Sequence, residues 1–287
     1  MRFRLGRHTY DEHARLVMAI VNRTPDSFYD RGATWSEEAA YERVRHVVAA
    51  GADIVDIGGI KAAPGEAISV AEEKARVVEF VANVRAEHPK VVLSVDTWRA
   101  EVAAAVCEAG ADVLNDAWGG ADPALVHVAA DYGVAVVRTH TGGVPVRTRP
   151  HRIEYDDVVA DVRASLRAQA DAAVAAGVDP ERIIIDPAHD FGKNTWHSLD
   201  VTRRLSELTE MGWPVLVSLS NKDFVGESLD LPVGERLNGT LAATALCAWQ
   251  GAQIYRVHEV EATRQVLDMV SIVAGQIPPK RVIRGLA

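Results

Sequence analysis

The chain has 287 residues, 48% of them hydrophobic and 25% charged, with a net charge of -9. This is an ordinary composition for a water-soluble chain, and its acidic excess excludes a general nucleic-acid binder, which presents a basic face. Three further features point to a cytoplasmic protein. No apolar run reaches the roughly 18 residues of a membrane span, and residues 1–16 lack the apolar stretch of a secretory signal. Cys107 and Cys247 stand far apart without metal-ligand spacing, as expected of thiols in a reducing compartment.

Residues 1–15 read as an N-terminal extension. A first strand over 16–21 then ends in Asn22, and a helix starts near Ser36. The second strand, 54–57, carries Asp56 and leads to a helix from about Val70. The third, 91–95, ends in Asp96 ahead of a helix near Trp98. The fourth, 113–114, ends in Asn115. Its helix begins at Asp122-Pro123, a capping residue followed by a first-turn proline. The fifth strand, 134–137, is followed by His140 and a helix from about Tyr155. The sixth, 183–185, ends in Asp186 before a helix near His197, and the seventh, 215–219, ends in Ser220 before one near Gly234. The eighth, 254–257, carries Arg256 and precedes a helix near Glu259.

Short β-branched runs of this kind suit strands buried on both faces. Gly51, Gly110 and Gly251 each close an Ala-rich helix, where the left-handed conformation is commonly needed. Eight β-then-α units with no linker predict a single (β/α)8 barrel spanning 1–287, close to the ~250 residues such a barrel needs. A doubly wound open sheet is the alternative, and the absence of a switch in strand order argues against it. In a parallel barrel the carboxyl ends of the strands converge on the active face. The polar residues at those ends therefore describe one pocket.

Asp96, Asn115 and Asp186 form the sharpest set. A flat heterocycle with an amino-amide edge offers adjacent N–H donors, which a carboxylate accepts in parallel and an amide complements. Lys222 would approach such a ring from the other side. The competing reading makes Asp96 and Asp186 caps of the following helices. The second set is Asn22, Arg256 and His258. Arginine forks onto phosphate oxygens, histidine adds a switchable donor, and Asn22 offers a carbonyl oxygen to a hard cation such as Mg²⁺. The spacing of two places Arg256 and His258 on one side of a strand. Arg147, Arg149, His151 and Arg152 read as a solvated loop, with a greeting surface for an anion as the alternative.

The stretch Val21-Asn22-Arg23-Thr24-Pro25-Asp26-Ser27-Phe28 resembles the opening signature of the dihydropteroate synthase family. So do residues 51–59, Ser94-Val95-Asp96-Thr97, Asn115-Asp116 with Gly119-Gly120, Asp186-Pro187 with Phe191-Gly192-Lys193, and Arg256-Val257-His258. The motifs run in order from the first strand to the last helix, and the chain resembles the divergent second copies that actinobacteria carry. The resemblance implies an enzyme that joins p-aminobenzoate to a hydroxymethyl-dihydropterin pyrophosphate. It implies that Asp96, Asn115, Asp186 and Lys222 hold the pterin, with Phe191 near the pterin and aminobenzoate and Asp56 on the pocket floor. Asn22, Arg256 and His258 would hold pyrophosphate and Mg²⁺. Lys222, Asp56, Asp96 and Arg256 would be the catalytic set, in a homodimer joined through helices near the C-terminal end.

The departures from the family are as informative. Where it has Glu-Ser-Thr-Arg-Pro after Gly58-Gly59, this chain has Ile60, Lys61, Ala62, Ala63 and Pro64. Two alanines cannot donate hydrogen bonds, and Lys61 does not reproduce an arginine fork. The family's Ser-Arg-Lys is Ser220-Asn221-Lys222 here, and its Gly-Ile-Gly is Ala188-His189-Asp190. Tyr29 and Arg31 replace smaller residues in the first loop. Losing one positioned donor to developing charge costs about 10² to 10³ in rate. The expectation is a pterin-binding barrel with synthase activity absent or very weak. The alternatives are a working synthase with a rebuilt lid, a non-catalytic regulatory or pterin-sequestering protein, and a methyltetrahydrofolate-binding methyltransferase, which shares the barrel but would need a corrinoid-binding segment.

Overall fold

The computed structural model describes residues 1–23, 37–60, 67–147 and 153–284. Its first elements are β1 (Arg2–Leu5) and β2 (His8–Asp11), an antiparallel hairpin turning at Gly6. Then follow β3 (Leu16–Asn22), α1 (Glu37–Ala49), β4 (Ile54–Gly58), α2 (Val70–Glu87), β5 (Val92–Asp96) and α3 (Ala100–Glu108). The middle of the chain forms β6 (Val113–Asp116), α4 (Leu125–Tyr132), β7 (Ala135–Thr139), α5 (Val158–Ala175), a 3₁₀ turn (Pro180–Arg182) and β8 (Ile183–Asp186). The last part comprises α6 (Thr195–Arg203), α7 (Ser206–Thr209), β9 (Leu216–Val217), α8 (Asp223–Leu229), α9 (Leu237–Trp249), β10 (Ile254–Val257) and α10 (Val260–Val273).

Eight strands pair in parallel in the order β8-β7-β6-β5-β4-β3-β10-β9. A bridge between Ile185 and Val215 brings the two edges together, with Ile185 N–H donating to the Pro214 carbonyl at 3.0 Å. The result is the (β/α)8 barrel that the alternation predicts.

Strand alternation explains both the core and the site. Val17, Ala19 and Val21 face outward into the layer between sheet and helices, while Leu16 and Met18 face the barrel interior. Ile54, Val92, Val113, Ala135, Ile184 and Ile254 belong to the same interior cluster. Two residues further along the same strands stand Asp56, Ser94, Asn115, Val137, Asp186 and Arg256. On every one of these strands but β7, where Val137 stays in the apolar cluster, the inward-facing stripe changes from apolar to polar as it climbs, since side chains two apart share a face.

The N-terminal hairpin had no counterpart in the periodicity of residues 1–15. Phe3 and Leu5 are fully buried in the interior cluster and close the amino end of the barrel. Arg4 pairs with Asp179 and Glu181, and Arg182 donates to the Gly6 carbonyl, which fastens the hairpin to the 3₁₀ turn. Gly6 has φ 53° and sits so close to Asp112 that a Cβ there would collide with its carboxylate.

Other boundaries shifted. The helix expected from Asp122 begins at Leu125. One Asp122 oxygen accepts from Ala124 N–H at 3.0 Å, and the other reaches the start of α3, accepting from Ala100 N–H at 2.8 Å. The seventh strand narrows to Leu216–Val217, and α8 follows it where only a loop was expected. The expected start at Ser36 lies outside the described residues, and α1 is seen from Glu37.

Candidate active site

Asp96, Asn115, Asp186, Lys222 and Arg256 converge on one open cleft at the carboxyl end of the barrel. Asn115 lies beside Asp96 in the register of β5 and β6. Asp186 ends β8, and Lys222 sits immediately before α8. Phe191 forms part of the wall. Its ring meets Trp118 edge-on at 5.4 Å and carries Lys222 Nζ 4.6 Å above its centre, a cation–π arrangement.

Beneath the cleft lies a buried ion-pair network. Asp56 is fully buried. It accepts from Ser94 Oγ at 2.6 Å, from Asn115 Nδ2 at 3.3 Å and from Arg256 Nε at 2.7 Å. Arg256 also donates from Nη2 to Asp96 at 3.0 Å. One guanidinium thus bridges two carboxylates, and Asp56 has a partner in every direction that burial demands. Burial pushes the Asp96 carboxyl up to about 7, against the pull of Arg256. Burial likewise raises Asp186 to about 6, opposed by its bond from Ala188 N–H and by Lys222. Burial lowers Lys222, while Asp190 and Asp186 hold it up. Carboxyl groups raised by burial in a cleft mark a candidate functional site.

The helix-capping reading of the aspartates fails for Asp96, whose carboxylate faces Arg256 while Asp122 serves α3. Asp186 does bond locally, accepting from Ala188 N–H at 2.7 Å, yet it still lines the cleft. The residues expected to meet an anion have partners of their own. Arg256 turns toward Asp56 and Asp96, and His258 lies just past the end of β10, with its Nδ1 2.9 Å from Ser220 Oγ. Asn22 ends β3, and its carboxamide oxygen lies 3.3 Å from where a Cβ on Gly58 would stand. Lys61, Ala62, Ala63, Pro64, Tyr29, Arg31, Arg149, His151 and Arg152 lie outside the described residues.

Sequence reasoning missed several residues here. Thr139, Ala117 and Ser218 line the cleft, and each sits at or just beyond a strand end, the signal that found the others. Lys193 is buried and donates to the Ala188 and Phe191 carbonyls at 3.2 and 3.0 Å. It also meets His140 Nδ1 at 2.7 Å, and His140 Nε2 reaches Asp161 at 2.8 Å. This buttress holds the loop that presents Phe191. Nothing in the spacing of His140, Asp161 and Lys193 announces it.

Three of the departures share a backbone property. Ala188, Asp190 and Asn221 adopt φ of 51°, 67° and 61°, the left-handed region. Asparagine tolerates it, while alanine there carries a cost. Asn221 also accepts from Gly234 N–H at 3.3 Å through its side chain.

The sequence profile of the pterin binding enzyme family matches residues 18–258. A Mycobacterium leprae protein named inactive dihydropteroate synthase 2 is 56% identical over 277 residues, covering 95% of each chain. The crystal structure of Yersinia pestis dihydropteroate synthase in a sulfonamide drug complex aligns with a TM-score of 0.90 at 35% identity, over 96% of this chain and 99% of that one. Dihydropteroate synthase from Xanthomonas albilineans in complex with 7,8-dihydropteroate gives 0.83 at 37%, over 97% of this chain and all of the other (100%). The barrel, the cleft at its carboxyl end and the match across both sequence and structure lead to one conclusion: this chain belongs to the dihydropteroate synthase family of pterin-binding barrels.

Proposed function

We propose that the protein binds a pterin in this cleft and catalyses dihydropteroate formation very weakly or not at all. The observation that carries the reading is the intact floor beside an altered rim. Asp96, Asn115, Asp186 and Lys222 line one cleft, which brings carboxylate acceptors, an amide and a cation together. At the rim, Ala188, Asp190 and Asn221 stand where the family carries glycines and an arginine. The greater identity to a relative named inactive than to the synthases of known structure supports the same reading.

Pyrophosphate would contact Arg256, His258 and Asn22. Arg256 commits two of its five N–H donors to Asp56 and Asp96, which leaves donors for an anion. Among the described residues no group of three or more His, Cys, Asp or Glu could hold a metal ion. Mg²⁺ would be held by phosphate oxygens, by waters and by the side-chain carbonyl of Asn22. The partner surface for a second copy would be α9 and α10, which pack together and expose Leu246, Trp249, Met269 and Val273. A cytoplasmic location fits two buried free cysteines, and among the described residues no helix is long and apolar enough to cross a membrane.

Calorimetry with 6-hydroxymethylpterin should show binding by the wild type. Turnover of the pterin pyrophosphate with p-aminobenzoate should fall about 10² to 10³ or more below an ordinary synthase, since more than one donor is missing. Ala62→Thr, Ala63→Arg and Asn221→Arg introduced together should raise turnover more than pterin affinity, because lid residues act on the chemistry. Wild-type turnover within about tenfold of an ordinary synthase, less than the loss of a single donor, would overturn the reading.

A further inference from the structure

Residues 189–191, in the loop after β8, and residues 222–224, at the start of α8, interlock side by side. The Phe191 ring lies under Lys222 Nζ at 4.6 Å. The His189 and Phe224 rings stack with centroids 5.6 Å apart at 28°. Between them, Asp190 Oδ2 accepts from the backbone N–H groups of Asp223 and Phe224, at 2.7 and 3.3 Å. The start of α8 has no side-chain cap of its own, because its capping position is Lys222. Asp190 supplies the missing acceptor from another loop, and a carboxylate is favoured there by the helix dipole.

The same residue is tied on its other side. Its Oδ1 accepts from Ser198 Oγ at 3.1 Å, and its N–H donates to that hydroxyl at 3.1 Å, which joins the loop to α6. Asp190 adopts φ 67°, a conformation that glycine takes freely and aspartate takes at a cost. A side chain retained against that cost is held by its contacts.

We propose that Asp190 is a positioning residue for Lys222, locking the loop that carries Phe191 to the start of α8 so that the ammonium is held over the pterin cleft. The proposal deepens the pterin reading and rests on it. Lys222 heads directly into the helix whose first N–H groups Asp190 holds, so its backbone position depends on that carboxylate. The negative charge acts in the same direction, since Asp190 is the leading influence that raises Lys222 against the lowering effect of burial. Glycine at this position would leave α8 uncapped and the two segments free to move apart.

The test is a double-mutant cycle with 6-hydroxymethylpterin as the probe, measured by calorimetry on the full chain. Asp190→Gly relieves backbone cost while losing the cap, so the melting temperature should move little. Its pterin affinity should fall about tenfold, the scale of a lost charge-assisted contact. In the Lys222→Ala background the same change should cost almost nothing, because the two residues act as one unit. Asp190→Asn keeps the fold through its remaining acceptor, and in it the Lys222 ammonium should titrate at lower pH than in the wild type, read by lysine NMR. Equal losses in both backgrounds, or an unmoved Lys222 titration, would overturn the proposal while leaving the pterin reading intact. A wild type that fails to bind the probe would overturn both.

Discussion

The two ends of this barrel are built from the same strands and solve opposite problems. At the amino end the inward residues are apolar, and the β1–β2 hairpin seals them with Phe3 and Leu5, both fully buried. At the carboxyl end the next inward residues include Asp56, Ser94, Asn115, Asp186 and Arg256, with Asp96 one step beyond Ser94, gathered around a cleft. Burial of carbon supplies stability at one end, since each fully buried side chain is worth about 1.5–3 kcal/mol. Buried charge at the other end costs desolvation that only its partners offset. Stability and recognition are therefore separated along the barrel axis by only one or two steps of the strand alternation.

The largest expected effect tests the open end. Arg256→Ala removes the bridge from Asp56 and Asp96 and leaves Asp56 as a buried charge with two neutral donors, Ser94 and Asn115. We expect a loss of about 3–5 kcal/mol in urea unfolding, the usual result of breaking a buried pair. Arg256→Met combined with Asp56→Asn should recover most of it, because the stranded charge goes with the bridge. If Arg256→Ala alone costs under about 1 kcal/mol, the range of an exposed pair, the network is solvated and the two ends are less different than they look.

Phe3→Ala tests the closed end. The ring is fully buried and stacks on Tyr10 at 5.3 Å. Its loss should cost about 3 kcal/mol or somewhat more. Pterin affinity should stay unchanged, since the apolar layer separates the hairpin from the cleft. A parallel fall in affinity would show the ends to be coupled.

The sequence disclosed this division unevenly. Eight apolar runs with polar ends were enough for the barrel, and the strand-end rule found Asp96, Asn115, Asp186 and Arg256, all of which meet in the structure. The same rule passed over Thr139 and Ser218, whose small hydroxyl side chains look like ordinary strand residues. The hairpin escaped because Phe3 and Leu5 acquire meaning only beside the barrel floor, far away in sequence. The direction of Arg256 escaped for a related reason. A spacing of two shows which side of a strand a residue takes, whereas two carboxylates from other strands decide where its guanidinium goes.

A pH experiment sharpens the contrast with a smaller effect. Burial raises Asp96 to about 7, above the ordinary carboxylate value near 4. Between those values the folded protein holds a proton on Asp96 that the unfolded chain has released, so the contribution of Asp96 to stability falls as pH rises through this window. Asp186, raised to about 6, adds to the same slope. Asp96→Asn removes its share, so the variant should gain on the wild type from pH 4 to 7 and hold that gain above. The gain should grow steadily with pH across the window, read as the difference between the two urea midpoints. Pterin affinity should fall, because a carboxylate that accepts ring N–H groups has become an amide. Burial lowers His140 to about 4 and His189 to about 3, which slopes the wild-type curve the other way, so the variant-minus-wild-type difference is the readout. A difference that shrinks across this window would show Asp96 to be stabilised as an anion instead.

The smallest effect compares two positions of the same backbone type. At the closed end the left-handed turn is made by Gly6, φ 53°, where a Cβ would strike Asp112. At the open end Ala188 takes φ 51° with its methyl buried against the cleft. A non-glycine residue pays about 1–2 kcal/mol in that region, while glycine loses about 0.4–1 kcal/mol through the freedom of its unfolded chain. Ala188→Gly should therefore gain up to about 1 kcal/mol, since the bonds of its N–H to Asp186 and its carbonyl from Lys193 are backbone bonds that survive. Gly6→Ala should lose stability, as both the conformation and the space oppose it. Opposite signs, read as shifts in the urea midpoint at constant slope, would show that the open end keeps a backbone cost for its cleft wall that the closed end does not carry. A loss for Ala188→Gly would mean that the methyl packs well enough to offset its conformation, and the wall would then count as core.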